Sequence, residues 1–312
     1  MSLPIKIIAI GGPTASGKTE AAWQLAKEFN GAIISCDSRQ IYREMDIATD
    51  KIQYQLPYSD PIVYQDIDHY GINLTTIDKP WTLYEWQKYA RQTIKKINKK
   101  GQRPFLVGGT GLYIQAMVDN YDLHRDYDVN LRTELNQLSL QQLQDKLIKL
   151  DNDLYNSIDY HNPRRLIRAI EKKNHELHIT NNDRRGGVVP PSTIKSHQYS
   201  GLVLSFIPDR EIIREKITKR VDVHLKKGVL TEVENLIKKY GPADPILNST
   251  ISVQEYIPYL QGKISLEAAK KKVIINNYHY AKRQMTWFRK YGKTVFCQNL
   301  GEMRTKIKEF TR

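Results

Sequence analysis

Apolar positions along the chain follow two rhythms. Short continuous runs, "IKIIAI" at 5–10, "GAIIS" at 31–35, "RPFLV" at 103–107 and "YSGLVLSF" at 199–206, have the length and setting of strands buried on both faces. Between them apolar residues recur at three- and four-residue spacing, as in "TEAAWQLAKEF" and "REIIREKITKRVDVHLKKG", the period of amphipathic helices. Their alternation predicts an α/β fold with a parallel sheet flanked by helices. From 118 to 200 the strand signal stops, and "NLRTELNQLSLQQLQDKLIKL" and "NPRRLIRAIEKK" carry helical periodicity only. Residues 118–200 are therefore expected to form a helical insertion in a core made of 1–117 and 201–312. Inside it, "NNDRRGGVVPPST" has the composition of an exposed loop. A length of 312 residues accommodates one core with one insertion.

The first strand runs into "GPTASGKT" at 12–19, with the spacing G-x-x-x-x-G-K-[ST]. In that pattern the loop of Gly12, Pro13, Thr14, Ala15, Ser16 and Gly17 cradles the phosphate, its glycines letting backbone amides approach the oxygens. Lys18 reaches bridging charge and Thr19 offers a hydroxyl to Mg²⁺. The pattern leaves open which phosphate is held, because ATP, GTP and any other diphosphate present the same oxygens. Ligands of such sheets bind beyond the carboxyl ends of the strands, so Asp37, after the second run, and Thr110, in "GGTG", share the loop's crevice.

Charge narrows the partner. The net charge of +14 and pI near 9.5 point to an anionic macromolecule. Lys263 to Lys293 holds nine Lys and Arg against one acid, interleaved with Tyr278, Tyr280, Trp287, Phe288 and Tyr291. Basic and stacking groups together suit RNA. The competing reading is a basic helix whose aromatics pack on the core. Cys36 and Cys297 lie far apart without metal-ligand spacing, so both are expected to be buried thiols. His175 and His178 in "HELHIT" lie one turn apart with no further ligand nearby, which favours a polar helix face over a metal site. There is no run of about 18 apolar residues and no charged-apolar lead before the first strand, so a cytoplasmic protein with no membrane association is expected.

Six blocks in order then resemble one family: "GPTASGKT", "DSRQIYREMDIATDK", "LVGGTGLYIQ", "NPRRLIRAIE", "DREIIREKITKRV" and "YAKRQMTWFR". The chain resembles the tRNA dimethylallyltransferases (tRNA isopentenyltransferases) of bacterial type, nearly end to end. The resemblance implies a P-loop NTPase-like core and a helical insertion that contacts the tRNA anticodon stem-loop. The implied reaction is Mg²⁺-dependent transfer of a dimethylallyl group from its diphosphate to the exocyclic amine of the adenosine 3′ of the anticodon. By the same resemblance Asp37 is the general base, while Thr14 and Arg220 contact the leaving group. Ser38, Arg39, Gln40, Thr110, Arg164, Arg165 and Arg168 grip the RNA, with Lys282 and Arg283 on the basic helix and a monomer expected. Arg164 stands where some members have Gln. Three other departures are visible: "GTAKP" of the family reads "ATDKI" here, a Gly-Tyr-Lys or Gly-Tyr-Arg element reads Ser252-Val253-Gln254, and the segment that usually carries a His pair before "LID" reads "VYQDIDHYGINL". From residue types alone, Asp37 could instead cap a helix or join a Mg²⁺ shell, and Arg220 could be a surface charge. Readings from other classes are a phosphate-loop kinase of a small metabolite, a prenyltransferase acting on free AMP, and a non-enzymatic tRNA-binding protein.

Overall fold

A computed structural model describes residues 3–52, 54, 58–121, 123, 129–183 and 198–312, with side chains of the 163–183 helix as far as Asn174. The chain divides into two compact units, 1–121 with 197–312, and 122–196. The expected crossings at 118 and 200 lie a few residues inside this division. Val118 still belongs to a core helix, and Tyr199 already pairs with the first strand.

The first unit begins with β1 (Ile5–Gly11), α1 (Lys18–Glu28) and β2 (Gly31–Ser35). It continues with β3 (Ile62–Tyr64), β4 (Ile67–Tyr70), α2 (Leu83–Lys99), β5 (Arg103–Gly108) and α3 (Gly111–Val118). Between its two segments the second unit contributes α4 (Val129–Asn136), α5 (Leu140–Leu150), α6 (Asn152–Ser157) and α7 (Pro163–Asp183). The first unit resumes with β6 (Tyr199–Ser205), α8 (Arg210–Lys226), α9 (Val229–Tyr240) and α10 (Ile257–Leu260). It closes with α11 (Leu266–Lys290), β7 (Thr294–Phe296) and α12 (Leu300–Thr311).

The sheet order is β3-β4-β2-β5-β1-β6-β7. All neighbours pair in parallel except β3 and β4, an antiparallel hairpin in which Tyr64 faces Ile67 across a two-residue turn. The sheet is thus mixed rather than wholly parallel, and β3, β4 and β7 add to the four strands expected. Gln65 and Asp66 both take positive φ, the geometry of a tight hairpin turn achieved without glycine. The runs Ile7–Ile10 and Phe105–Val107 are buried, with one face against α1 and the other against α2, α3 and α11.

In the second unit the helical segment of 130–150 divides into α4 and α5. Ser139 caps α5 with a reciprocal bond to Gln142, so its hydroxyl competes successfully with helix continuation. Leu135, Leu143, Leu147, Leu166 and Ile170 form this unit's own core. Arg132 grips buried Glu171 through two 2.6 Å bonds. Residues 184–193 of "NNDRRGGVVPPST", and the side chains of His175 and His178, lie outside the described residues.

Candidate active site

The turn between β1 and α1 has the backbone its sequence calls for. Gly12 and Gly17 take φ of 151° and 89°, values that side chains rarely adopt, and Ala15 is also left-handed. Lys18 Nζ folds back to donate to Pro13 O at 3.0 Å. Desolvation brings its pKa down to about 8, with Arg220 adding to the effect and Asp37 and Asp50 opposing it. Thr19 stands exposed in the first turn of α1. Ser16 Oγ is buried with no hydrogen-bond partner.

Asp37 follows β2. Its Oδ1 accepts the backbone N–H of Arg39 at 2.8 Å and of Gln40 at 3.4 Å, which fixes the carboxylate, and no described hydrogen bond engages Oδ2. Thr110 Oγ1 accepts the N–H of Ser38, and Arg39 Nη2 reaches Ser249 O and Oγ. Gln40 faces inward, accepting from Ser35 Oγ and donating to Thr49 O and Asp50 O. Its amide shapes the 49–50 turn and is already occupied. Glu232 on α9 supports the same turn by accepting the N–H groups of Asp46, Ile47 and Ala48 at 2.8–2.9 Å.

Helix α11 supplies the least expected part of the site. Its basic outer face carries exposed Lys282 and Arg283. Its buried face sends Gln284 to the phosphate loop, where Oε1 accepts Thr14 N–H at 2.8 Å and Nε2 donates to Gly109 O at 3.0 Å. Asn277 Oδ1 accepts from Arg220 Nη2 at 3.0 Å, and Arg220 Nη1 donates to Thr14 Oγ1 at 2.7 Å. The expected stacking role for the aromatics is corrected for three of them. Phe288 is fully buried against Gly11, Trp287 lies over Gly111, and Tyr291 donates to Asp119 Oδ1 at 2.8 Å. Small residues at Gly11 and Gly111 make the room that draws these rings inward. Tyr280 lines a cleft.

Two clefts result. One, about 580 Å³, is lined by Lys18, Thr19, Lys216 and Lys227 and extends to Trp23, Tyr64, His69 and Ile72. The other, about 330 Å³, is lined by Ser38, Arg39, Ser249, Gln254, Tyr280 and Arg283. They share Thr14, Asp37, Thr49, Asp50 and Arg220. Three of those five are the catalytic residues expected from sequence. The others, with Asn277, Gln284, Glu232 and His224 behind them, were not anticipated; the departure "ATDKI" was the one signal near Asp50. The expected RNA grips Arg164, Arg165 and Arg168 belong to the second unit, exposed on α7, where Arg165 and Arg168 lie 3.7 Å from Asp159 and Glu171. Cys36 and Cys297 are buried free thiols, as expected. Among the described residues no group of three or more His, Cys, Asp or Glu could hold a metal, and no helix is long and apolar enough to cross a membrane.

Comparison with known proteins finds relatives over most of the chain. The model of the IPP transferase family matches residues 40–291, and that of isopentenyl transferase matches residues 5–53. The tRNA dimethylallyltransferase of Thermoanaerobacter sp. (strain X514) is 34% identical over 296 residues, covering 93% of this chain and 90% of the relative. That of Staphylococcus saprophyticus is 34% identical over 291 residues, covering 91% and 88%. The solved tRNA isopentenylpyrophosphate transferase of Bacillus halodurans superposes with a TM-score of 0.68 at 30% identity, covering 98% of this chain and 95% of that one. A eukaryotic dimethylallyltransferase acting on tRNA shares the fold, with a TM-score of 0.76 at 23% identity, covering 98% and 77%. A family match over most of the chain, together with relatives at 34% identity, sets aside the kinase and non-enzymatic readings: this chain belongs to the IPP transferase family, that of the tRNA dimethylallyltransferases.

Proposed function

We propose that the enzyme transfers the dimethylallyl group of dimethylallyl diphosphate to the exocyclic amine of the adenosine 3′ of the anticodon in tRNA, releasing diphosphate. The observation that carries this reading is the junction, where a cationic cleft with an apolar end meets a second cleft at Asp37, Thr14 and Arg220. The diphosphate lies on the phosphate loop with its hydrocarbon toward Trp23, Tyr64 and Ile72, and the flipped adenine enters from the Tyr280 side. Bond formation at the amine nitrogen sheds a proton. The Asp37 carboxylate accepts it as the C–N bond forms, and the backbone bonds to Oδ1 hold the group in place meanwhile. Lys18, Arg220 and the Thr14 hydroxyl stabilise the charge that develops on the leaving oxygen.

The residues present fit a Mg²⁺ ion that depends on diphosphate oxygens. Thr19 offers a hydroxyl beside the loop, the buried Ser16 Oγ lacks a partner, and among the described residues no group of three or more His, Cys, Asp or Glu could hold the ion by itself. Thr19 would hold it, and its charge would further neutralise the leaving group. For RNA, the net charge of +14 and the exposed Lys282, Arg283, Arg164, Arg165 and Arg168 support binding of the anticodon stem-loop. Mass spectrometry of nucleosides from bulk tRNA tests the reading. Isopentenyladenosine should disappear when the gene is deleted and return when it is restored, and an unchanged level would refute it.

A further inference from the structure

Asp50 brings a second carboxylate, in addition to that of Asp37, to the junction of the clefts. Its backbone is left-handed, φ 54°, and its side chain is about half exposed, at 52%. Oδ1 lies 3.3 Å from His224 Nε2, and Oδ2 lies 3.6 Å from Arg220 Nη1. Arg220 and His224 are one turn apart on α8, so a single carboxylate spans both. His224 is buried, and Lys227 adds a further positive charge near Asp50. Burial pushes the Asp50 carboxyl up, but the His224 hydrogen bond and the Arg220 and Lys227 charges outweigh it and hold it below its ordinary value. Asp50 is therefore an anion at neutral pH.

An incoming diphosphate needs the same guanidinium. Arg220 is already fixed on two sides by neutral acceptors, Thr14 Oγ1 and Asn277 Oδ1. Its approach to Asp50 is the looser contact and the one an anion can replace. His224 keeps its hydrogen bond to Asp50 Oδ1 when that happens, so release of Arg220 does not leave the carboxylate without a partner. We propose that Asp50, tethered by His224, competes with diphosphate for Arg220 and so sets both donor affinity and the ease of product release. The inference rests on the reading that Arg220 faces the donor's diphosphate.

The prediction is one of sign. A carboxylate that binds or organises the ligand would make its removal harmful, whereas a competitor's removal tightens binding. Titration calorimetry of the full chain with inorganic diphosphate and Mg²⁺ separates the two, using Asp50→Asn, His224→Met and the double variant. Asn tolerates the left-handed backbone, and melting curves establish that each variant is folded. Removing one unit of like charge from the junction should give D50N roughly five- to thirtyfold tighter binding. H224M should bind several-fold more weakly, because Asp50 then rests on Arg220 alone, and the double variant should follow D50N. Product diphosphate should inhibit prenyl transfer by D50N at correspondingly lower concentration. Equal or weaker binding by D50N overturns the proposal, and weaker binding restored by extra Mg²⁺ would make Asp50 a cation ligand instead. Those results leave the proposed function standing, whereas a wild-type chain that binds no diphosphate removes the donor cleft and this inference with it.

Discussion

Asp37 has one oxygen committed to the backbone, while no described hydrogen bond engages the other. Asp37→Asn keeps the size and an acceptor for the Arg39 N–H, but it cannot take up the amine proton. Single-turnover transfer should fall by roughly 10²- to 10⁴-fold with diphosphate affinity little changed, measured by rapid quench and by calorimetry. Loss of affinity restored by Mg²⁺ would assign the carboxylate to the ion. Lys18 gives a pH signature. With its pKa near 8, donor affinity should decline as pH rises past that value and the cradle loses a charge. Stability moves the other way. An unfolded Lys18 keeps its proton to 10.5 and the folded one to about 8, so the unfolded state holds more protons in between. The ligand-free protein should therefore gain stability from this residue as pH rises through that window, a trend that Lys18→Met should remove from melting curves. His69 titrates on the acid side. Burial lowers it from 6.5 to about 4, against the pull of Asp68. The unfolded state again holds more protons between those values, so stability falls as pH drops from 6.5 toward 4, and His69→Phe should flatten that loss.

Close packing sets tolerance where elements cross. A Cβ on Gly109 would lie 2.0 Å from Gln284 Nε2, so Gly109→Ala must push that amide off Thr14, at a cost of about 1–3 kcal/mol in a denaturant titration. On Gly108 it would lie 2.2–2.9 Å from the backbone of Cys36, which cannot swing aside, so Gly108→Ala should be the more damaging change. These crossings also explain what the sequence revealed. Continuous apolar runs disclosed β1, β2, β5 and β6, and glycine spacing disclosed the phosphate loop, because each is a local rule. The β3–β4 hairpin stayed hidden because its strands are three and four residues long and its turn, Gln65–Asp66, lacks glycine. Gln284 and Asn277 were hidden for a different reason: polar residues on a basic helix look solvated by period, yet both are buried. Asp50 and His224 lie 174 positions apart, and only the fold joins them.

RNA binding by the whole chain should be dominated by phosphate contacts. If about five phosphates are neutralised, log K should fall with log salt at a slope near −4. Lys282→Gln with Arg283→Gln should make that slope shallower by about 2 and weaken different tRNAs alike, as filter binding across salt concentrations would show.

Gln284 gives the molecule a further property, because one buried amide joins the helix that presents Lys282 and Arg283 to the loop that cradles phosphate. Any displacement of α11 on contact with RNA is felt at Thr14, and any tightening of the loop on diphosphate is felt along α11. Linkage makes such an effect mutual. The factor by which tRNA changes the affinity for inorganic diphosphate must equal the factor by which diphosphate changes the affinity for tRNA. Gln284→Leu should shrink both factors together, so donor and acceptor would come to bind as strangers to one another.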